Sequence, residues 1–293
     1  MEEEIKRLVK TSILKATKET GGGCISSGRK YEIDNGKFIF VKTNNKKDAN
    51  IMFNGEHAGL EAIYKTETVR CPKSYGTFKM EDGTCGIVSE YISMNSSKNQ
   101  EALGKQFAEL HLSNEKHGTP IKEFGFEVPT CCGYLSINNK WNKNWTNFYI
   151  YQRLQPHIDM LNKNSPNKEL TDLWNQCIPK IETILNRIQP IPALVHGDLW
   201  SGNGASDENG NPVIFDPACF YGHSEFDFGI AKMFGGFTKT FHDSYHKIIP
   251  KSDGFEQRLI IYELFHHLNH WNHFGSGYAS GTLNLMKQIS KFE

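Results

Sequence analysis

Four side chains in the last third of the chain have the types and spacing needed for phosphoryl transfer. His196, Asp198 and Asn203 lie in the segment LVHGDLWSGN in the order H-x-D-x-x-x-x-N, and Asp216 follows Asn203 by thirteen residues. This chemistry needs one carboxylate to accept the proton of the attacking hydroxyl, and oxygen ligands that hold Mg²⁺ against the phosphates. The spacing therefore predicts Asp198 as the catalytic base and Asn203 with Asp216 as Mg²⁺ ligands.

A glycine-rich turn near the N-terminus is a candidate for holding the phosphates of ATP. The segment GGGCIS leads into a predicted strand, and its missing Cβ atoms would let backbone N–H groups approach phosphate oxygens. The turn is not a Walker A loop, and by itself it is a weak signal. The residues predicted to contact the phosphates are Gly22, Gly23, Cys24, Ile25 and Ser26.

A lysine and a glutamate complete the predicted nucleotide site. Lys42 ends the strand-like segment KFIFVK, which is the position of a lysine that contacts the α- and β-phosphates. Glu56 on the following predicted helix is the expected partner of the lysine ammonium, and Glu61 on the same helix is the alternative. Backbone groups of Glu90, Tyr91 and Ile92, at the junction of the two predicted lobes, are expected to contact adenine.

These candidate residues must be positioned by a strand-rich region and a helical region. The first ninety residues are rich in strand-like segments with one internal helix, and the rest is mostly helical. The sequence therefore predicts an α+β fold with an N-terminal antiparallel sheet lobe at 1–92 and a mainly helical catalytic and substrate-binding lobe at 93–293. The predicted elements before residue 117 are a helix over 2–19, a hairpin of 24–33 with 37–42, a helix over 50–65, strands near 73–80 and 84–92, and a helix near 103–116.

The composition limits the classes of partner. The 293 residues carry 33 Lys and Arg against 33 Asp and Glu, so no global positive charge favours nucleic acid or an anionic bilayer. No apolar run reaches the ~18–20 residues that span a membrane, and the acidic N-terminus is unlike a secretory signal. The seven cysteines form no repeated CxxC framework. We expect a soluble cytoplasmic protein that binds neither nucleic acid nor membranes.

Longer blocks of sequence resemble the fructosamine-3-kinase and ketosamine-3-kinase family over roughly residues 20–275. They are GGGCISSGRKYEIDNGKFIFVKTN, MFNGEHAGLEAI, EFGFEVPTCCGY, HGDLWSGN, VIFDPACFYGHSEFDFGIAKMFGGF and LFHHLNHWNHFG. The resemblance implies a two-lobed protein-kinase-like fold of the aminoglycoside phosphotransferase type. It also implies ATP-dependent phosphorylation of O3 of the sugar in fructosamine, ribulosamine or psicosamine adducts. Its substrates would be small ketosamines and glycated proteins, and phosphorylation would lead to protein deglycation.

The substrate pocket is predicted from the charge of a ketosamine, whose amine is largely cationic near neutral pH. Acidic and aromatic side chains attract such a cation, so Trp200 and Asp227 are candidates. Asp227 could equally anchor the helix that begins near Ser224. His270 is a third candidate, because the resemblance implies that the block LNHWNHFG faces the sugar.

Cys24 is set apart from the other thiols by its place in the predicted phosphate loop. Nearby lysines and an anion-binding turn lower a thiol pKa. The resemblance implies a redox switch at Cys24 through an intermolecular disulfide that links a homodimer.

The alternatives for the whole chain are a related choline- or aminoglycoside-type phosphotransferase and a nucleotide-binding pseudokinase. The intact set of predicted catalytic positions argues against the pseudokinase.

Overall fold

The computed structural model describes residues 1–21, 26–95 and 99–293. Its N-terminal part is a five-stranded antiparallel sheet in the order β1-β2-β3-β5-β4, with helix α2 against it. The elements are α1 (Glu2–Val9), β1 (Lys15–Gly21), β2 (Ser27–Glu32), β3 (Phe38–Asn44), α2 (Ala49–Thr66), β4 (Ser74–Lys79) and β5 (Cys85–Glu90).

The alternation of apolar and polar residues along β3, the middle strand of the sheet, determines which of its side chains face the core. Ile39 and Val41 are buried on one face, where they pack with Val88 of β5 and with Ile5 of α1. Strands that alternate apolar and polar residues bury one face in this way. Lys42, the next residue, therefore emerges on the opposite face from Val41.

The prediction of one helix over 2–19 was wrong. The helix ends at Val9, where Lys10 adopts a left-handed conformation with φ of 55°, and residues 15–21 form strand β1 instead. Strand β1 lies at the edge of the sheet, and within the described ranges its one strand partner is β2. Most of its side chains are exposed, so no apolar alternation marks it in the sequence. Backbone pairing with β2 decides its conformation.

The C-terminal part is mainly helical, as predicted, with short strand pairs between the helices. Its core contains the long helix α9, whose Tyr262, Leu264, Phe265 and Leu268 are fully buried. The elements are β6 (Met94–Asn95), α3 (Gln100–Leu112), β7 (Thr130–Cys132), β8 (Leu135–Ile137), α4 (Trp145–Tyr149), α5 (Gln155–Asn164), α6 (Lys168–Leu185), β9 (Ala193–Val195), β10 (Gly204–Asp207), β11 (Pro212–Ile214), β12 (Phe220–Gly222), α7 (Asp227–Phe234), α8 (Lys239–His246), α9 (Phe255–Phe274) and α10 (Ala279–Ile289).

The α+β fold class is confirmed by this arrangement of a sheet followed by helices. The hairpin around Asp34–Gly36 and the internal helix α2 lie where the sequence placed them. The lobe boundary between residues 92 and 93 stays a prediction. Within the described ranges, none of the helices is both long and apolar enough to cross a bilayer.

Candidate active site

The loop that carries Asp198 is held from behind by a buried carboxylate. It follows β9, and its backbone N–H groups at His196 and Gly197 donate to Asp227, at 2.8 and 2.7 Å. Gly197 has φ of 82°, and a Cβ there would strike the carbonyl group of Ala218. Only glycine fits a position that combines left-handed backbone with so close a contact. The loop therefore leaves β9 in one fixed direction.

Asp198 lies on the cavity side of this loop among three polar neighbours. The Asn203 amide nitrogen donates to the Asp198 carbonyl at 2.8 Å and to its carboxylate at 3.3 Å. The thiol of Cys132 lies 3.8 Å from the other carboxylate oxygen. Burial and the nearby charge of Asp216 raise the pKa of Asp198 to about 8, against the hydrogen bonds from Cys132 and Asn203. A carboxylate with a raised pKa holds a proton more strongly, as a general base must.

Lys42 joins the sheet to helix α2 and to Asp216, which follows the loop that carries Asp198. Its ammonium lies 2.8 Å from Glu56 and also contacts Asp216. Burial alone would lower the pKa of Lys42, but the two carboxylates outweigh it and raise the pKa. Glu61, the alternative partner, faces away and lies 3.4 Å from Lys65.

Two glycines on α2 allow Glu56 to reach this position. A Cβ on Gly55 would lie 2.7 Å from the carbonyl oxygen of Pro129 and 2.8 Å from Cα of Thr130, both backbone atoms. A Cβ on Gly59 would lie 3.2 Å from Pro217. Helix α2 therefore packs directly on the backbone at the start of β7, and Glu56 lies between the two glycines on the same helix.

Asn203 and Asp216 offer oxygen atoms that suit Mg²⁺. The Asn203 amide nitrogen is committed to Asp198, which leaves the amide oxygen for a cation. The Asp216 side chain is 46 % exposed toward the cavity, and its backbone holds a left-handed conformation with φ of 58°. Hard cations such as Mg²⁺ prefer carboxylate and amide oxygens, so the donor set fits this ion.

These side chains line one cavity of about 400 Å³ between the sheet and the helices. The predicted residues Ser26, Lys42, Glu56, Asp198, Trp200, Asn203, Asp216 and His270 all border it. Its wall also includes residues that the sequence reasoning missed as site residues: Met52, Cys132, Gly133, Phe234, Asn269, His273, Phe274 and Tyr278. The last four could have been found from the sequence, because they lie in or just after the block LNHWNHFG at the end of α9.

An aromatic wall runs along the side of the cavity away from the sheet. The ring of Trp200 lies 5.7 Å from that of Phe234, and Phe234 lies 5.0 Å from His270. The Nδ1–H group of His270 donates to the backbone carbonyl oxygen of His266 at 2.8 Å, which fixes the ring orientation. Phe274 lies 5.5 Å from His270 and is 57 % exposed. Such a wall can hold the face of a sugar or an organic cation.

The remaining predicted residues that the structure describes do not border this cavity. Asp227 is 2 % exposed, and its carboxylate accepts from the backbone of the loop that carries Asp198 rather than capping the helix that begins near Ser224. Glu90 pairs with Arg70 at 3.1 Å, Tyr91 donates to Glu19 at 3.2 Å, and Ile92 is buried. Gly22, Gly23, Cys24 and Ile25 lie outside the described residues.

Comparisons with known proteins agree with this geometry. The fructosamine kinase family model matches residues 1–292. A mouse ketosamine-3-kinase is 47 % identical over 99 % of this chain and all of its own length. The crystal structure of a Haemophilus somnus protein provisionally described as a fructosamine-3-kinase has a TM-score of 0.84 at 21 % identity, covering 98 % of this chain and 95 % of its own. An apo aminoglycoside phosphotransferase mutant has a TM-score of 0.66 at 12 % identity, covering 99 % and 98 %, which shows the kinase-like fold.

Proposed function

This chain belongs to the fructosamine kinase family, and from that premise we propose that it transfers the γ-phosphoryl group of ATP to O3 of the sugar in a ketosamine. The observation that carries the proposal is that Lys42, Glu56, Asp198, Asn203 and Asp216 meet at one cavity. The similarity to the mouse ketosamine-3-kinase over the whole chain supports the substrate class.

Each side chain has a part in the transfer. Lys42, held by Glu56, contacts the phosphates of ATP, and Asn203 with Asp216 would hold Mg²⁺, which neutralises charge on the phosphates when bound. Asp198 accepts the proton of the sugar hydroxyl as that oxygen attacks phosphorus. Ser26 borders the cavity and ends the glycine-rich turn in sequence, so its part is to contact the phosphates.

The aromatic wall binds the acceptor. Trp200 and His270 contact the sugar, and Asp198 and Asp216 attract the cationic amine. Phosphorylation at O3 places a leaving group on the sugar, which destabilises the adduct and releases the free amine. The substrates in this proposal are small ketosamines and ketosamines on protein lysines, and the outcome is protein deglycation.

Two finer predictions from the sequence belong to this proposal. Oxidation of Cys24 to an intermolecular disulfide would link a homodimer and lower activity. The place of Cys24 directly after three glycines supports this prediction. The cysteines in the described part of the chain are all free thiols. Wild type and Cys24→Ser should then differ on non-reducing gels and in assays without thiol reductant. The same amount of dimer on the gels and equal rates for the two proteins would contradict the predicted redox switch. The cytoplasmic location stays a prediction.

The central test is an ADP-release assay with 1-deoxy-1-amino-ketoses that differ at C3, with choline and an aminoglycoside as competing acceptors. We expect turnover with ketosamines alone and phosphate at O3 by NMR of the product. Asp198→Asn should lower kcat by about 10²–10⁴-fold while ATP binding stays near wild type. Turnover with choline or the aminoglycoside alone, or phosphate at another position, would contradict the proposal.

A further inference from the structure

Three potential metal ligands meet at the proposed catalytic base, which is one of them. The Cys132 sulfur, a carboxylate oxygen of Asp198 and a ring nitrogen of His266 all lie within 4.8 Å of one another. They come from three separate parts of the chain: strand β7, the loop after β9 and helix α9. Cys132 and Asp198 border the cavity, so an ion can reach them from solvent.

The polar atoms around this point lack the partners that a purely structural role would give them. His266 is fully buried, and neither ring nitrogen has a hydrogen-bond partner among the described residues. Asn269, one turn along α9, donates to the Cys132 sulfur at 3.2 Å, while its buried side-chain oxygen is also unpartnered in that part of the chain. A buried polar group without a partner costs about 1–3 kcal/mol, so such atoms normally face a ligand or water.

We propose that Cys132, Asp198 and His266 bind a thiophilic divalent cation of the Zn²⁺ type, and that this ion inhibits the enzyme by occupying the base. Thiolate, imidazole and carboxylate are the usual protein ligands of Zn²⁺. Ligand atoms around a tetrahedral Zn²⁺ lie about 3.5 Å apart, so atoms that lie within 4.8 Å of one another must close by about 1.3 Å at most. The fourth position opens toward the cavity or takes the oxygen of Asn269.

This site differs in chemistry from the proposed Mg²⁺ ligands. Asn203 and Asp216 supply only oxygen, which suits a hard cation, whereas Cys132 and His266 supply sulfur and nitrogen. The two cations therefore select different positions in the same cavity. On binding, the Cys132 thiol loses its proton to solvent and sulfur bonds to the metal, with no change of oxidation state. A metal-bound Asp198 no longer accepts the hydroxyl proton.

Metal binding can be measured without turnover, using Co²⁺ as a spectroscopic probe for Zn²⁺. A thiolate bound to Co²⁺ gives a charge-transfer band in the near ultraviolet. We expect this band in wild type and in the control Cys131→Ser, and its loss in Cys132→Ser and His266→Leu. Cys131 is adjacent in sequence but belongs to no such cluster within the described ranges. His266→Leu replaces unpartnered polar atoms by an apolar side chain, and a thermal melt checks that each variant is folded.

Inhibition is measured second, and only this part depends on the proposed function. Micromolar free Zn²⁺ should lower kcat at least tenfold in wild type and Cys131→Ser at saturating Mg²⁺ and ATP, with recovery on adding a Zn²⁺-selective chelator. His266→Leu should lose this sensitivity. An equal Co²⁺ band in folded wild type, Cys132→Ser and His266→Leu would overturn the site. A normal band in a protein without kinase activity would leave the site standing and contradict the proposed function instead.

Discussion

The carboxylate of Asp227 lies 2.7 Å from the backbone nitrogen of Gly197 and 2.8 Å from that of His196, one residue earlier. A third contact reaches it from His111 at 3.1 Å. One buried side chain at the start of α7 thus receives three donors, two of them from the loop that carries Asp198. Because hydrogen bonds to a charged acceptor are stronger than neutral ones, this carboxylate sets the direction of the loop. We infer that Asp227 is a positioning residue.

Asp227→Asn should reduce both stability and turnover. The amide places an N–H₂ group against backbone N–H donors, and a lost hydrogen bond to a buried charge is worth about 1.5–3 kcal/mol. We expect urea unfolding to show that loss, and kcat to fall at least tenfold because Asp198 shifts. Asp243→Asn is the control, since that aspartate is on the surface of α8 and pairs with Lys239. A wild-type unfolding midpoint for Asp227→Asn would refute the anchoring role.

Glu56→Gln should weaken the contact of the enzyme with ATP. It removes the charge that lies 2.8 Å from the Lys42 ammonium and leaves Lys42 to Asp216. We expect KM for ATP to rise about five- to tenfold or more, with a parallel fall in kcat. Glu61→Gln is a matched control on the same helix, since Glu61 contacts Lys65 instead. Equal kinetics for the two variants would show that the Lys42–Glu56 pair does not organise the nucleotide site.

Trp200→Ala should affect the acceptor and spare the nucleotide. Trp200 is 37 % exposed and borders the cavity beside Phe234. Loss of an aromatic face against a sugar or cation is worth about 1–2 kcal/mol, so KM for the ketosamine should rise about five- to thirtyfold. KM for ATP should stay within a factor of two. Trp141→Ala, which removes a 40 % exposed tryptophan outside the cavity, is the comparison. A change confined to KM for ATP would reject this role of Trp200.

Stability should fall on acidification below pH 6.5. Burial lowers the pKa of His157 and of His223 to about 3, with positive charge from Arg258 adding to the effect at His223. Between about pH 6.5 and pH 3 the unfolded chain binds these protons and the folded chain does not, so the free energy of unfolding decreases as pH falls through this window. Above pH 6.5 the contribution is fully present.

Urea unfolding at pH 7.5 and 4.5 tests this dependence. His223→Gln removes one titrating group and should reduce the loss of stability between the two pH values by about 3 kcal/mol. Glutamine can retain a hydrogen bond to Tyr262, which lies 2.8 Å from the His223 ring. His117→Gln, at an exposed histidine, should leave the loss as in wild type. An unchanged loss in His223→Gln would show that the folded protein does not lower the pKa of this histidine.

Some choices that the sequence left open were decided by packing. Glu56 and Glu61 are five residues apart on α2. The sequence favoured Glu56 as the partner of Lys42 and left Glu61 as the alternative. Gly55 packs on the backbone at the start of β7 and Gly59 packs on Pro217, so the Glu56 side of the helix faces these segments and Glu61 lies toward solvent. Cys132 contacts Asp198 from a strand 66 residues earlier in the chain. Contacts of that separation leave no local pattern.

The sequence by itself determined the fold class, the family resemblance and the order of Lys42, Asp198, Asn203 and Asp216, because these depend on residue type, spacing and hydrophobic periodicity along the chain. Tertiary structure alone decided that residues 15–21 form a strand, that Asp227 holds the loop from behind, and that Cys132 and His266 meet at the base. The physical reason is that backbone pairing at a sheet edge and contacts between distant elements depend on how the chain packs, not on its local composition.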